Sequence, residues 1–331
     1  MNRRRLALCL VALSLSCATA QEPTRPKKPG VTSPNVRIPI EKLVPDAVFP
    51  MGGAPDWLAI DEHAWVSNAP LGNVTRMDPK SNTIAATITV GKEPGSGLAA
   101  GFGSLWVPNC GDATLSRIDL ATNQVTATIP LATADSEGGI ATGAGSVWVL
   151  TDARSTLARI DPATNKVVAE IRVAAGSFAV AFGEKSVFVT STKESLLSRI
   201  DPQTNLIVET VKVGPAPRFL AIGEGAAWTL NQGDGSISRV DLATNKVVAT
   251  IEAGIPGGGG EIAVGEGSVW ATSFGYPITR IDPATNTVVQ QFHGPGGDAI
   301  RVGLGSVWLS NLRAGNVWRI DPRRIEATRA E

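Results

Sequence analysis

The sequence contains few of the residues from which disulfides and metal centres are built. It includes three cysteines and two histidines. Cys9 and Cys17 lie near the N-terminus, before residue 21, which leaves Cys110 without a partner for an internal disulfide. His63 and His293 are far apart, and no Cys/His spacing typical of a transition-metal cluster occurs. We therefore predict no such metal site and a fold that is stabilised by packing.

An excess of charge of either sign is also lacking, as is a long helical pattern. Thirty basic residues balance thirty acidic ones, so the composition gives no reason to expect binding to nucleic acid or to an anionic membrane. No window sustains an apolar period of 3.6 residues, which argues against all but a little helix. We expect a monomeric β-protein without a nucleic-acid partner.

The segment 1–20 is typical of an export signal. Arg3 to Arg5 form a basic region, Leu6 to Leu15 an apolar core, and Ala18-Thr19-Ala20 a small-residue cleavage site. We predict cleavage after Ala20, a periplasmic or secreted protein, and no transmembrane segment once the signal is removed. Anchoring as a lipoprotein through Cys17 is the alternative, although Ser14-Leu15-Ser16 is a poor lipobox. Residues 21–36 are rich in proline and predict an extended linker.

A repeat with a period of about 40 residues fills the chain from residue 37 to residue 331. An Arg-Ile/Val/Met-Asp sequence recurs with this period, at Arg76, Arg117, Arg159, Arg199, Arg239, Arg280 and Arg319. An aromatic residue in a short apolar run keeps step with it, at Trp65, Trp106, Trp148, Phe188, Trp228, Trp270 and Trp308. Each unit has four short runs separated by Gly, Pro and Asn, the pattern of an antiparallel meander. Seven units predict an all-β, seven-bladed β-propeller of four-stranded blades; a solenoid is the alternative, but no polar end caps are present.

The repeated Arg and Asp have a structural explanation. In the Asp-Pro-x-Thr-Asn turn, Pro sets φ, the Asp carboxylate accepts from backbone N–H groups two residues on, and Asn tolerates a left-handed conformation. The Arg lies two residues earlier on the same strand face. We predict that it forms a salt bridge or a clamp on carbonyl groups between units, rather than part of a single active site.

The last unit lacks its fourth strand, because Arg323-Arg324-Ile325-Glu326 breaks the pattern there. Near the other end, Val48-Phe49-Pro50-Met51 matches the end of a fourth strand such as Thr128-Ile129-Pro130-Leu131. We predict that residues from Leu43 to Pro50 supply the outer strand of the seventh blade. This would close the ring non-covalently and protect its edge.

The units resemble two groups of bacterial exported propellers. Gly-Ser-Val-Trp followed by Arg-Ile-Asp-Pro-Ala-Thr-Asn is similar to the YncE-like, YVTN-repeat propellers and to the streptogramin B lyase-like (virginiamycin B lyase) propellers, over residues 37–331. The lyase resemblance implies a Mg²⁺-dependent C–O elimination with a His base and Glu side chains on the metal. Where such lyases tend to place an acid after the Trp strand, this chain has Asn68, Asn109, Thr151, Thr190, Leu230, Thr272 and Ser310. Under this resemblance the catalytic candidates are His293 and Glu261, with Mg²⁺ or Ca²⁺ as the ion.

Function is expected where the blades differ. In a propeller the loops between the fourth and first strands, and between the second and third, meet on one face around the axis. The residues that distinguish these loops are Asp56, Trp57, Glu93, Asp135, Glu137, Arg154, Lys193, Arg218, Phe219, Glu261, Phe274, Tyr276, His293, Asp298 and Arg313. We predict a ligand-binding site made of Arg301, Asp298, Glu261, Arg218, Phe219, Tyr276 and Trp57.

Arg301 enters this set through a comparison of the inner strands. Six of them carry alanine at one position, namely Ala59, Ala99, Ala141, Ala181, Ala221 and Ala263, and the seventh carries Arg301. At a crowded place near the axis its guanidinium must point into the channel or a polar pocket, since burying an unpaired charge is costly. Two interpretations are open: a structural ion pair with Asp298 or Glu261, or recognition of a carboxylate or phosphate group.

These observations favour an exported propeller that binds a small polar ligand, a peptide or a protein at this face, without a cofactor. The alternative is a metal-dependent lyase or hydrolase that uses the loops of the same face. The enzyme hypothesis requires the carboxylates and His293 to converge, whereas the binding hypothesis requires only a rimmed pocket or an apolar patch.

Overall fold

The computed structural model describes residues 30–32, 34–151 and 155–330. Seven sheets, each containing four antiparallel strands, follow one another along the chain, and we number them as blades 1 to 7. The inner strand of every blade contacts the inner strands of both neighbours, including that of blade 7 with that of blade 1. The sheets therefore form a closed seven-bladed β-propeller, as predicted. The predicted signal segment and most of the predicted linker lie outside the described residues.

In blades 1 to 6 the four strands run outward from the axis in chain order, and blade 7 takes its outer strand from the N-terminal part of the chain. The inner strands are β3 (Pro55–Ile60), β7 (Ala99–Gly101), β11 (Ile140–Gly143), β15 (Ser177–Gly183), β19 (Pro217–Gly223), β23 (Glu261–Gly265) and β27 (Ile300–Gly303). The second strands are β4 (Ala64–Asn68), β8 (Ser104–Asn109), β12 (Ser146–Thr151), β16 (Ser186–Ser191), β20 (Ala226–Asn231), β24 (Ser268–Ser273) and β28 (Ser306–Asn311). The third strands are β5 (Asn73–Asp78), β9 (Thr114–Asp119), β13 (Thr156–Asp161), β17 (Leu196–Asp201), β21 (Ser236–Asp241), β25 (Tyr276–Asp282) and β29 (Asn316–Ile320). The outer strands are β6 (Thr83–Thr89), β10 (Val125–Pro130), β14 (Lys166–Arg172), β18 (Leu206–Lys212), β22 (Lys246–Glu252), β26 (Thr287–His293) and, for blade 7, β2 (Ala47–Pro50).

The repeated aromatic residue of the second strand fills the space between blades. All seven of these side chains are buried. Trp148 of blade 3, for example, belongs to one apolar cluster with Val180 and Val187 of blade 4. The core therefore consists mainly of interblade clusters, because each sheet packs its faces against its neighbours.

The repeated Arg is a carbonyl clamp between blades. Arg117 Nη1 donates to the Pro162 carbonyl oxygen at 2.6 Å and to Asn165 Oδ1 at 2.9 Å, both in the outer turn of the next blade. Its guanidinium also lies over Trp106 of its own blade, 4.9 Å from the ring centroid. The same contact to the next blade's Asn is made by Arg76, Arg159, Arg199 and Arg239, and Arg319 of blade 7 reaches Asn82 of blade 1. The contact from Arg319 to Asn82 thus joins blade 7 to blade 1. Arg280 instead forms the predicted type of salt bridge, with Glu326 at 2.5 Å.

The outer turns have the predicted chemistry. Asp119 Oδ1 accepts from the backbone N–H of Thr122 at 2.8 Å and from that of Ala121 at 3.1 Å. These bonds, with the one from Thr122 first, hold the pKa of Asp119 below its ordinary value. Asn123 adopts a left-handed φ of 59°, which also presents its side-chain oxygen to Arg76 of the preceding blade.

Both chain ends take part in closing the ring. The β2 strand pairs antiparallel with β29, with Ala47 opposite Arg319 and Pro50 opposite Asn316, so the predicted N-terminal closing strand is confirmed. Two elements were not predicted. A short strand, β1 (Arg37–Pro39), pairs in parallel with the outer edge of β26, and a helix, α1 (Pro322–Ala327), takes the place of an outer turn in blade 7.

Among the described residues, short 3₁₀ turns also occur at Pro34–Val36, Ile40–Lys42, Ala69–Leu71 and Leu312–Ala314. Within the described ranges, no helix has the length and apolar character needed to cross a membrane.

Candidate functional site

The blades differ most at one position close to the start of the inner strand, which is found by aligning the seven blades. The position compared above for alanine and Arg301 lies opposite the buried aromatic residue of the second strand in every blade, so the alignment of the seven strands is correct. Three residues earlier the blades carry Asp56, Ser96, Gly138, Phe178, Arg218, Gly260 and Asp298. We call the end of the axis where these residues lie the top face. Here a repeated scaffold carries acidic, basic, aromatic and small residues at equivalent places.

A pocket opens on this face. It has a volume of about 420 Å³ and is called the top pocket here. Its wall contains the carboxylates of Asp56, Glu93, Asp135 and Glu137, the guanidinium of Arg218, and the side chains of Ser96, Cys110, Ser136 and Phe178. Blades 1 to 5 all contribute to this wall, either from the start of an inner strand or from a loop.

Two carboxyl groups form a hydrogen-bonded pair at the edge of the pocket. Asp298, which is buried, and Asp56 come from adjacent blades, because blade 7 closes against blade 1. Burial is the main cause that raises the pKa of Asp298 to about 9, and the charge of Asp56 adds to it. Burial, followed by the charge of Glu137, raises the pKa of Asp56 to about 7. The pair therefore keeps a proton at neutral pH, and Asp298 donates it to Asp56.

The guanidinium of Arg218, which lines the pocket, contacts several partners. Arg218 lies 2.9 Å from Glu137 Oε2 and donates to Gln232 Oε1 at 3.2 Å. Its Cζ lies 4.6 Å from the centroid of Phe178 and 5.5 Å from that of Phe219. Burial raises the pKa of Glu137 and outweighs the opposing effect of Arg218. The positive charge of Arg218 is thus largely compensated by Glu137 within the protein.

A cluster of aromatic and charged side chains contacts the pocket wall, because Phe219 lies against Phe178 and Arg218. The rings of Trp57 and Phe219 stack at 6.2 Å, and both side chains are buried. Arg301 lies over Trp57, 5.1 Å from the ring centroid, and forms an ion pair with Glu261. Glu261 is 2% exposed and also accepts from the backbone N–H of Ile300 at 2.8 Å. Trp57 and Phe219 are therefore packed inside the protein, and neither of them lines the top pocket.

Arg301 combines burial with access to the channel. Its side chain is 28% exposed, and it lines a second cavity of about 150 Å³ together with Ala221 and Ala263. Desolvation lowers its pKa to about 10, so it stays charged at neutral pH. Of the two partners foreseen for a structural ion pair, the structure selects Glu261, while Asp298 pairs with Asp56.

Other predicted residues lie away from this group. His293 ends the outer strand β26, opposite Pro39 of β1, whereas Glu261 begins the inner strand β23. Tyr276 begins β25 and lies beside Gly30. Neither His293 nor Tyr276 contributes to the wall of the top pocket. Arg154, one of the distinctive loop residues, lies outside the described residues.

The site also contains residues that the predicted set lacks. Ser136, Phe178 and Cys110 escape a search for charged or catalytic types, because each is an ordinary residue in a loop or strand. The Cys110 thiol lies in hydrogen-bond contact with Ser96 Oγ, and burial raises its pKa, so it stays protonated at neutral pH. The signal for Phe178 is its place in the series that also contains Asp56, Arg218 and Asp298.

Among the residues that the structure describes, no three His, Cys, Asp or Glu side chains gather closely enough to hold a metal ion together. Asp56, Glu93, Asp135 and Glu137 line the top pocket but do not form such a group.

Comparison with known proteins places the fold. No family model and no curated protein matches the sequence. A streptogramin B lyase structure superposes with a TM-score of 0.69 at 19% identity, covering 82% of this chain and 95% of that one. Virginiamycin B lyase from Staphylococcus aureus superposes with a TM-score of 0.69 at 16% identity, and the match covers 82% of this chain and 96% of the lyase chain. Kuenenia stuttgartiensis hydrazine synthase superposes with a TM-score of 0.67 at 15% identity, and the match covers 82% of this chain and 96% of that one.

The streptogramin B lyase propellers are therefore structural neighbours of this chain, as the sequence resemblance indicated. At these identities the similarity establishes the propeller fold. The similarity to the YncE-like, YVTN-repeat group stays a prediction.

Proposed function

We propose that this chain is an exported binding protein whose top pocket takes a small polar ligand. The observation that carries the proposal is the collection of charged and polar side chains at the start of inner strands and in neighbouring loops of blades 1 to 5. In a repeated scaffold these places need only small residues, such as Gly138 and Gly260 at the equivalent position. Buried carboxyl groups are costly to a fold, so their presence supports a role in binding.

The size of the pocket supports a small molecule rather than a folded partner. A volume of about 420 Å³ lies within the range of small-molecule sites, roughly 300–1,000 Å³. Its polar wall groups can fix the orientation of a ligand.

A thermal-shift screen tests the proposal. Purified protein is melted with a panel of small amines, organic acids, sugars and amino acids, and each hit is measured by titration calorimetry. Hits should lose affinity in Arg218→Gln and Glu137→Gln, which alter the wall, and keep it in Lys193→Ala, an exposed change on the same face. Hits that bind all three variants equally would place the binding site elsewhere, and a screen without hits would count against a small-molecule site.

A lyase-like or hydrolytic reaction in the same pocket is the alternative. The observation that favours it is the Asp56–Asp298 pair, because a carboxyl group with a raised pKa can act as a general acid. Glu261 is engaged with Arg301, and His293 lies on an outer strand, so the alternative draws support from the carboxyl pair and not from these two residues. Incubation with streptogramin B, with and without Mg²⁺, followed by mass spectrometry tests it, since the binding hypothesis expects no product.

Export belongs to the proposal and rests on the sequence of the segment 1–20. Mass spectrometry of the mature N-terminus should give Gln21 as the first residue. A lipid-modified Cys17 would instead establish membrane anchoring.

A further inference from the structure

We infer that the top pocket binds an organic cation, a small molecule with one or more primary amine or guanidinium groups. This inference rests on the proposed function and specifies its ligand class. It follows from the charge of the wall, from one buried hydroxyl group, and from the lack of a group of three metal-ligating side chains among the described residues.

The wall of the pocket carries an excess of negative charge. Glu93 and Asp135 are exposed carboxylates at its rim, and no cationic side chain of the described residues is paired with either of them. Both lie close enough to Cys110 for their charges to act on its thiol, which places them on the same side of the pocket. The guanidinium of Arg218 is already paired with Glu137 at 2.9 Å. A cationic ligand would meet uncompensated carboxylates, whereas an anionic ligand would be repelled.

A buried hydroxyl group provides independent support. Ser136 lies between the two acidic residues Asp135 and Glu137, is 3% exposed, and lines the pocket. Its Oγ has no hydrogen-bond partner within the described structure. Because buried polar groups are nearly always hydrogen-bonded in native proteins, this hydroxyl, which can accept as well as donate, is an available partner for an N–H group of a ligand.

The arrangement suits an organic cation better than a bare metal ion. A divalent ion such as Ca²⁺ requires several oxygen ligands at about 2.3–2.6 Å from one point, and no group of three acidic, His or Cys side chains of that kind exists among the described residues. A molecule with separated amines can instead reach carboxylates on different parts of a wall, and a volume of about 420 Å³ gives it room.

Titration calorimetry with putrescine tests the inference, with 1,4-butanediol as the uncharged analogue of the same length. Spermidine and agmatine extend the cationic set, and succinate and calcium chloride serve as the anionic and metal probes. The cationic probes should bind, and 1,4-butanediol and succinate should not. Binding should weaken as NaCl is raised, because salt screens exposed charges.

Single substitutions locate the binding. Glu93→Gln and Asp135→Asn should each weaken putrescine binding by roughly twofold to fivefold, as expected for exposed ion pairs. Ser136→Ala should weaken it by roughly tenfold, the effect of a lost hydrogen bond to a charged group. Asp112→Asn, which removes a carboxylate on the same face outside the pocket, is the matched control and should leave the Kd unchanged.

The outcomes separate this inference from the proposed function. If succinate or a sugar binds and loses affinity in Arg218→Gln, while no amine binds, the pocket is a ligand site and the inference about cations is wrong. Tight binding of calcium that Glu93→Gln and Asp135→Asn abolish, without amine binding, would also overturn it in favour of a metal. If no probe of any charge binds, both the inference and the proposed function fail.

Discussion

Replacing Asp298 by asparagine should flatten the dependence of stability on pH between pH 7 and pH 9. In the folded protein burial and the neighbouring charges of Asp56 and Glu137 raise the pKa of Asp298 to about 9, against the opposing effect of Arg218. In the unfolded chain this carboxyl is ionised throughout that range. Because the folded-state pKa is raised, the contribution of Asp298 to the free energy of unfolding is complete below the pKa that this group has in the unfolded chain. It is lost as the pH rises through about 9.

The magnitude follows from the proton that unfolding releases. One proton corresponds to about 1.4 kcal/mol of unfolding free energy per pH unit. Integrated with a folded-state pKa of about 9, the wild-type chain loses about 2 kcal/mol from this group between pH 7 and pH 9. Asparagine cannot ionise, and its Nδ2–H group can still donate to Asp56 as the protonated carboxyl does. The variant should lack this loss and melt roughly 3 °C above the wild type at pH 9, relative to their difference at pH 7.

Urea or thermal unfolding measured at pH 6, 7, 8 and 9 provides the assay. Asp112→Asn is the control, because it removes one exposed carboxylate from the same face without touching the buried pair. If Asp298→Asn and the wild type lose stability in parallel between pH 7 and pH 9, Asp298 is already ionised in the folded protein, and the description of a proton-sharing pair is wrong.

Other predictions concern the framework. Trp148→Ala should cost about 3–5 kcal/mol because it removes a fully buried aromatic side chain, while Lys193→Ala should stay near neutral; equal melting temperatures would refute the packing assignment. Deleting residues 37–50 removes β1 and β2, so calorimetry should show a sharp fall in melting temperature, and an unchanged melt would mean that the ring closes without them. Arg301→Lys should lose several degrees of melting temperature with ligand binding intact, because Lys cannot reproduce both the ion pair with Glu261 and the contact with Trp57; weaker binding at an unchanged melting temperature would make Arg301 a recognition group.

The fold was predictable because the same physical requirement recurs in every blade. The turn needs Asp as an acceptor and Asn in a left-handed conformation, and the interface needs an aromatic residue under an Arg. Each of these requirements therefore places the same type of residue at the same position of every repeat. The parallel strand β1 and the helix α1 occur once, are short, and depend on contacts with blade 6 and blade 7, so no periodic signal marks them.

The candidate site was predictable only in part. A comparison of equivalent positions singled out Arg301, because six blades carry alanine there, and Asp298 was chosen among the loop residues that differ between blades. It could not show that Arg301 pairs with Glu261 rather than Asp298, since the choice depends on distances across three blades. Loop position also placed Tyr276 and His293 in the predicted set, although neither residue lines the top pocket.

The placement of the buried carboxyl groups bears on why this molecule carries them at all. A propeller gains stability from interblade packing and from clamps such as Arg117 to Asn165, which every blade can repeat without placing a charge near the axis. The Asp56–Asp298 pair and Glu137 do the opposite, because burial disfavours their ionised forms and raises their pKa values. Groups that cost stability at neutral pH, gathered in one concave place of an otherwise regular ring, are the arrangement expected of a site whose charge is completed by a ligand.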